Sequence, residues 1–127
     1  MTEVAMPSRV PPTPDLSNRA RGRWGEDLAA GHYRRIGYEV LDRNWRSSTG
    51  ELDLVVRAGS TIVFCEVKAR RTDRFGPAAS AVTIEKQRRI RQLAVEWLRA
   101  HELRAESIRF DVVAITGSRL ELITAAF

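Results

Sequence analysis

Cysteine and histidine are nearly missing from this 127-residue chain: one Cys65 and two histidines. A single cysteine excludes an intrachain disulfide framework, and so few thiols and imidazoles exclude the usual structural zinc sites. No apolar run approaches the 18 residues that would read as a membrane span. The N-terminus shows no apolar core of a secretory signal, so a cytoplasmic protein without membrane contact is expected. Lysine is also scarce, with Lys68 and Lys86 standing against 19 arginines. Aromatic residues make up 7%. No internal repeat is visible.

What is present is an ordinary globular composition, 43% hydrophobic and 29% charged, with a formal net charge of +5. The length suits one domain that folds without metal or disulfide. A basic excess favours phosphate-bearing partners, though weakly at this magnitude. The excess is uneven. Residues 76–100 carry five basic groups and two acidic ones, whereas residues 101–127 carry three and four.

Four of the five prolines fall in residues 1–17, with few large apolar side chains. This composition predicts a flexible tail. A single domain is expected over residues 18–127. Ala20, Trp24, Leu28, Ala29, Tyr33 and Ile36 recur at helical spacing and predict a helix over residues 18–36, capped by Ser17 or Asn18 and stopped at Gly37. Strands are expected over 38–45, 51–57 and 61–68, then an arginine-rich loop over 69–81. A second helix is expected over 83–102, then strands over 108–115 and 120–124. The order α-β-β-β-α-β-β gives an α/β fold, a mixed sheet with helices packed on it.

Gly59-Ser60 suits a two-residue hairpin turn. Counting outward, Ala58 pairs Thr61, Val56 pairs Val63, Val55 pairs Phe64, and Asp53 meets Glu66. Lys68, two residues further, shares that face. Like charges directly opposite one another are destabilising in a sheet, and a divalent cation is a physical reason to keep them, since hard cations take carboxylate oxygens. The plain alternative is the exposed face of a half-solvated sheet, with Glu66 and Lys68 as a surface ion pair.

Gly50-Glu51-Leu52-Asp53-Leu54-Val55 followed by Phe64-Cys65-Glu66-Val67-Lys68-Ala69-Arg70 resembles the PD-(D/E)xK nuclease motif. Residues 19–127 as a whole resemble the YraN family of predicted endonucleases, related to archaeal-type Holliday junction resolvases. Gly22-Arg23-Trp24-Gly25-Glu26-Asp27-Leu28-Ala29 matches that family's first-helix signature. Phe110-Asp111-Val112-Val113-Ala114-Ile115 and the final Ala126-Phe127 match its ending. The resemblance implies a restriction-endonuclease-like fold and a metal-dependent endonuclease acting on nucleic acid, with DNA, including branched DNA, the expected substrate. A homodimer would suit a junction resolvase. Asp53 and Glu66 would ligate Mg²⁺ or Mn²⁺, with the Val67 carbonyl as a third oxygen. Glu26 would point at the metal directly or through water, and Lys68 would orient the attacking water or stabilise developing charge.

Lys86 continues the stripe of Ile90, Leu93 and Trp97, which aims a cation at the sheet end where a phosphate could lie. Gln87 is its neighbour. Arg70, Arg71, Arg74 and Phe75 on the loop, with Arg89 on the second helix, would contact the nucleic-acid backbone, Phe75 by stacking. The alternative for these is a solvated charge run. Cys65 alternates to the face opposite Glu66 and reads as a core thiol. Asp111 could be a further active-site acid, but partnership with an arginine is the favoured expectation. Two other functions stay open: a nucleic-acid-binding module without significant turnover, and an assembly protein that meets an acidic partner.

Overall fold

A computed structural model describes residues 3–4 (backbone only), 7–72, 74, 76 and 82–127. Among these, β1 is Glu3–Val4, β2 Ser8–Arg9, α1 Asn18–Arg35, β3 Glu39–Ser47, β4 Gly50–Ala58, β5 Thr61–Arg70, α2 Ile84–Ala100, β6 Ser107–Thr116 and β7 Arg119–Thr124. From α1 onward the order is the expected α-β-β-β-α-β-β. The strands form one mixed sheet in the order β1-β7-β6-β5-β4-β3, and β2 also pairs with β7. Among the described residues only the β5–β6 pair is parallel, and α2 makes the crossover between them, as a parallel connection requires.

Local chemistry sets the helix ends. The Ser17 hydroxyl accepts from the Ala20 amide, and the Thr83 hydroxyl accepts from the Lys86 amide; each satisfies an orphan donor of a first turn. Gly37 closes α1 at φ +95°. Its amide donates to the Arg34 carbonyl, and Tyr38's to that of Tyr33, the paired bonds that a left-handed glycine permits.

The two helices cover opposite faces of the sheet. Ala29, Ala30 and Tyr33 of α1 pack with Leu54, Val56, Val63, Cys65, Val67, Val113 and Ile115. Ile90, Leu93, Ala94 and Trp97 of α2 pack with Leu52, Val55, Ile62, Phe64, Phe110 and Val112. Phe64 meets Trp97 edge-on at 5.8 Å and stacks on Phe110 at 5.9 Å. Removing a buried aromatic such as Trp97 costs about 3–5 kcal/mol. Gly25 lets α1 lie tight on β5, because a Cβ there would sit 2.9 Å from Ala69 Cβ.

The proline-rich segment differs from the flexible tail expected of it. Val10 and Thr13 are buried. The Val10 amide donates to the Ser118 carbonyl at 2.8 Å, and the Thr13 amide and hydroxyl donate to that of Gly117 at 2.7 and 2.6 Å. Composition undervalued the segment because much of its hold comes from backbone groups along the β6–β7 turn, which composition does not report. Among the described residues, no helix is long and apolar enough to cross a membrane.

Candidate active site

The hairpin register follows the count from Gly59-Ser60 as far as Leu54↔Cys65. There the ladder ends, and Asp53 does not simply face Glu66. Its Oδ2 accepts the Val67 amide at 3.0 Å, so a side chain takes the place of the next backbone partner. The strand also changes face at this point. Leu52 and Leu54, two residues apart, would share a face in a regular strand, yet Leu52 packs under α2 and Leu54 under α1. On β3 the same switch occurs between Arg43, which pairs with Asp27 of α1 at 2.6 Å, and Trp45, which packs with the α2 cluster. Asn44 lies between them at φ +53°, a left-handed conformation that asparagine tolerates.

This double switch opens a cleft of about 400 Å³ at the sheet end, lined by Asn18, Arg19, Gly22 and Arg23 of α1, Glu26, Asn44, Arg46, Glu51 and Asp53. Carboxylate oxygens of Glu26, Glu51 and Asp53 lie within 4.8 Å of one another. Glu26 is 7% exposed, and its Oε1 is buried without a hydrogen-bond partner. Among the described residues the ion-pair partner of Glu51 is the exposed Arg46, at 3.3 Å. An orphaned buried carboxylate oxygen is costly in a native structure and asks for an explanation such as an ion. Three hard oxygen donors without histidine or thiol suit Mg²⁺ or Mn²⁺.

The electrostatics agree. Burial raises the Glu26 carboxyl above its ordinary value and Glu51 adds to this, while a hydrogen bond with Asn44 opposes it. The Asp53 carboxyl is pushed up to about 8, first by burial and then by the Glu66 charge. Such acids hold protons that a cation would displace.

Glu66 occupies the other side. It follows Phe64 by two residues, so it faces α2, where its Oε1 pairs with Lys86 Nζ at 2.5 Å. Glu66 is thus next to Asp53 but engaged by Lys86, and it pairs with neither Asp53 across a ladder nor Lys68 on a surface. The two lysines of the chain come together here. Burial lowers the Lys68 pKa and the Lys86 charge lowers it further. For Lys86 burial acts downward, but Glu66 outweighs it and the net direction is up.

The remaining expected residues divide. The Val67 amide is used by Asp53. Arg70, Arg71 and Arg74 line one pocket with Arg21 and Thr72. Gln87 donates to the Val82 carbonyl at 3.2 Å and so braces the start of α2. Arg89 packs its stem over Gly50, the turn residue before Glu51. Phe75 lies outside the described residues. Cys65 is buried on the α1 side, as a core thiol. Asp111 partners Arg109 at 2.8 Å. Sequence reasoning missed Glu51 and Asn44. Glu51 stands two residues before Asp53, and that spacing was the available signal. Nothing local marks Asn44.

The profile of the uncharacterised protein family UPF0102 matches residues 25–115, which include every acid and lysine of the cleft. A UPF0102 protein of Frankia casuarinae is 51% identical over 113 residues, covering 85% of this chain and 96% of its own. One from Rhodococcus opacus is 55% identical over 98 residues, covering 77% and 83%. One from Geobacter sulfurreducens is 46% identical over 115 residues, covering 87% and 90%. With a profile match over most of its length and relatives this similar across nearly their whole chains, the chain belongs to the UPF0102 family, the YraN family of the sequence resemblance.

Proposed function

We propose that the protein is a metal-dependent nuclease on a restriction-endonuclease-like α/β fold, hydrolysing nucleic-acid phosphodiesters, with DNA the expected substrate. The observation that carries this reading is the buried, unpartnered Glu26 Oε1 in a cleft shared with Glu51 and Asp53. Those three side chains would hold Mg²⁺ or Mn²⁺. A cation held there would supply neutralisation of phosphate charge and acidification of water. The chain's own residues do the rest. The Val67 amide orients Asp53, and Asn44 orients Glu26. Lys68 Nζ, whose ammonium is disfavoured by burial and by Lys86, suits holding or accepting a proton of the attacking water. Lys86 Nζ pairs with Glu66 beside it.

The Glu66–Lys86 ion pair favours a second reading, in which the cleft binds nucleic acid without turnover because one expected ligand is already engaged. A cleavage panel separates the two: duplex, single-stranded, flapped and four-way-junction DNA with Mg²⁺, Mn²⁺ or EDTA. Cleavage with metal and none in EDTA is expected. Asp53→Asn, Glu26→Gln and Lys68→Ala should each lower the rate about 10²-fold or more. Binding of these substrates with no cleavage of any would establish the second reading.

A further inference from the structure

The glycines of α1 are bare for different reasons. Gly25 has no room for a side chain. At Gly31 a Cβ would touch only the tip of Arg35, at 3.6 Å, and at Gly22 it would meet nothing within 4 Å. Glycine inside a helix is less stable than alanine, and no protein atom requires it at Gly22. Unlike Gly31, Gly22 lines the carboxylate cleft, one turn before Glu26 on the same helix face. A missing side chain there leaves the cleft wall clear for something outside the protein.

The residue before it opens elsewhere. Arg21 lines a separate cavity of about 460 Å³ with Arg70, Arg71, Thr72 and Arg74, and no carboxylate is among the described residues that line it. Arg21 Nη2 donates to the Leu16 carbonyl at 2.8 Å, but its Nε is buried with no acceptor. Among the described residues Arg71 reaches the exposed Asp15, at 3.6 Å. Arg70 Nη1 donates to the Gly76 carbonyl at a long 3.3 Å. A guanidinium N–H buried without an acceptor, among further guanidiniums, fits an anion with several oxygens, and a phosphate presents them in the matching geometry. Consecutive residues of one helix therefore serve two cavities, Arg21 the arginine pocket and Gly22 and Arg23 the carboxylate cleft.

We propose that the arginine pocket holds an uncut phosphate of the bound nucleic-acid strand, and that the strand runs between pocket and cleft by crossing α1 at Gly22. This rests on the nuclease reading for the identity of what enters the cleft, but not for the phosphate in the pocket. Fluorescence anisotropy with a short labelled DNA duplex in EDTA, over a salt series, tests it. Arg21→Gln and Arg71→Gln should each weaken binding several-fold and flatten the log–log salt slope by about 0.9. Arg71 is exposed, so its variant tests the pocket without a folding defect. Gly22→Leu should bind more weakly while melting no lower than wild type. Gly31→Ala should melt higher and bind as wild type does. Unchanged affinity and slope in both arginine variants overturns the pocket, as does a site that takes inorganic phosphate while leaving DNA binding indifferent to those variants. Wild-type affinity in Gly22→Leu overturns the crossing. If the variants behave as expected and no DNA is cut with either metal, the nuclease reading fails and the strand path stands. If wild type cuts and all three variants bind and cut equally well, the path fails and the nuclease reading stands.

Discussion

Among the described residues three acids are buried, Glu26, Glu66 and Asp111, and Asp111 and Glu26 differ most in their partners. Asp111 is fully buried in β6, and both of its oxygens are paired. It accepts from the Tyr33 hydroxyl at 2.7 Å, from Arg109 at 2.8 Å on each oxygen, and from the Ala125 amide at 3.1 Å. Arg109 in turn donates to the Tyr38 hydroxyl at 2.9 Å. About two turns earlier on α1, Glu26 crowds with Glu51 and Asp53, and one of its oxygens is buried and unpartnered. The same sheet and helix support both. The Asp111 network joins α1, the α1–β3 connection, β6 and the C-terminal segment, with both carboxylate oxygens used, whereas the cleft leaves charge and oxygen over. A buried acid with its partners reads as architecture, and one without them as a site.

Three measurements sharpen or break this contrast. The largest effect is expected at the satisfied acid. Asp111→Ala strands the Arg109 charge, and breaking such a pair costs about 3 kcal/mol or more, a midpoint loss on the order of 10 °C for a domain of this size. Denaturant unfolding of the variant measures it, and a loss below about 1 kcal/mol would erase the structural role assigned to the network. The second effect belongs to the unsatisfied cluster. Mn²⁺ or Mg²⁺ at a hundred times its Kd should stabilise wild type by about 2.7 kcal/mol, and Asp53→Asn should respond far less. Thermal melting with each metal checks this, and a wild type indifferent to both would leave the cleft no more a site than Asp111 is.

The third measurement is a pH dependence in EDTA. With its carboxyl pushed from the ordinary 3.8 up to about 8, Asp53 binds more protons in the folded chain than in the unfolded one throughout that window. Its contribution therefore makes stability fall as pH rises from about 4 to about 8, and then level off. Glu26, raised in the same direction, acts with the same sign. Asp53→Asn should lose less stability over that range and should melt above wild type at about pH 8. Melting both proteins across the range decides the matter. A variant with the same pH slope as wild type would show that Asp53 ionises freely in the fold.

Much of this was legible in the chain itself. Helical spacing from Ala20 to Tyr33, the Ser17 cap and the Gly37 stop set α1 because those are contacts within a few residues. The Gly59-Ser60 turn carried the register to Leu54↔Cys65 because a tight turn leaves no freedom in counting outward. The alternation of Cys65 and Glu66 assigned their faces for the same reason. Local pattern also brought Asp53, Glu66, Lys68 and Lys86 to one end of the sheet.

Tertiary structure decided what those residues touch. No local rule ends the ladder at Asp53 or puts Asn44 in a left-handed conformation, because the face switch arises from packing β3 and β4 between two helices. That switch sets Glu51 with Glu26 and Asp53, while Glu66, beside Asp53, also meets Lys86, eighteen positions after Lys68. The prolines of residues 7–14 carried no sign that the neighbouring backbone would find acceptors at Gly117 and Ser118. Nor could spacing place Arg21 beside Arg70 and Arg71, since α1 and the end of β5 meet only after Gly25 has let the helix down onto Ala69. Sequence determined the elements and the acids they carry. Which acids keep a free oxygen depended on distances between elements far apart in the chain, and only the folded packing sets those.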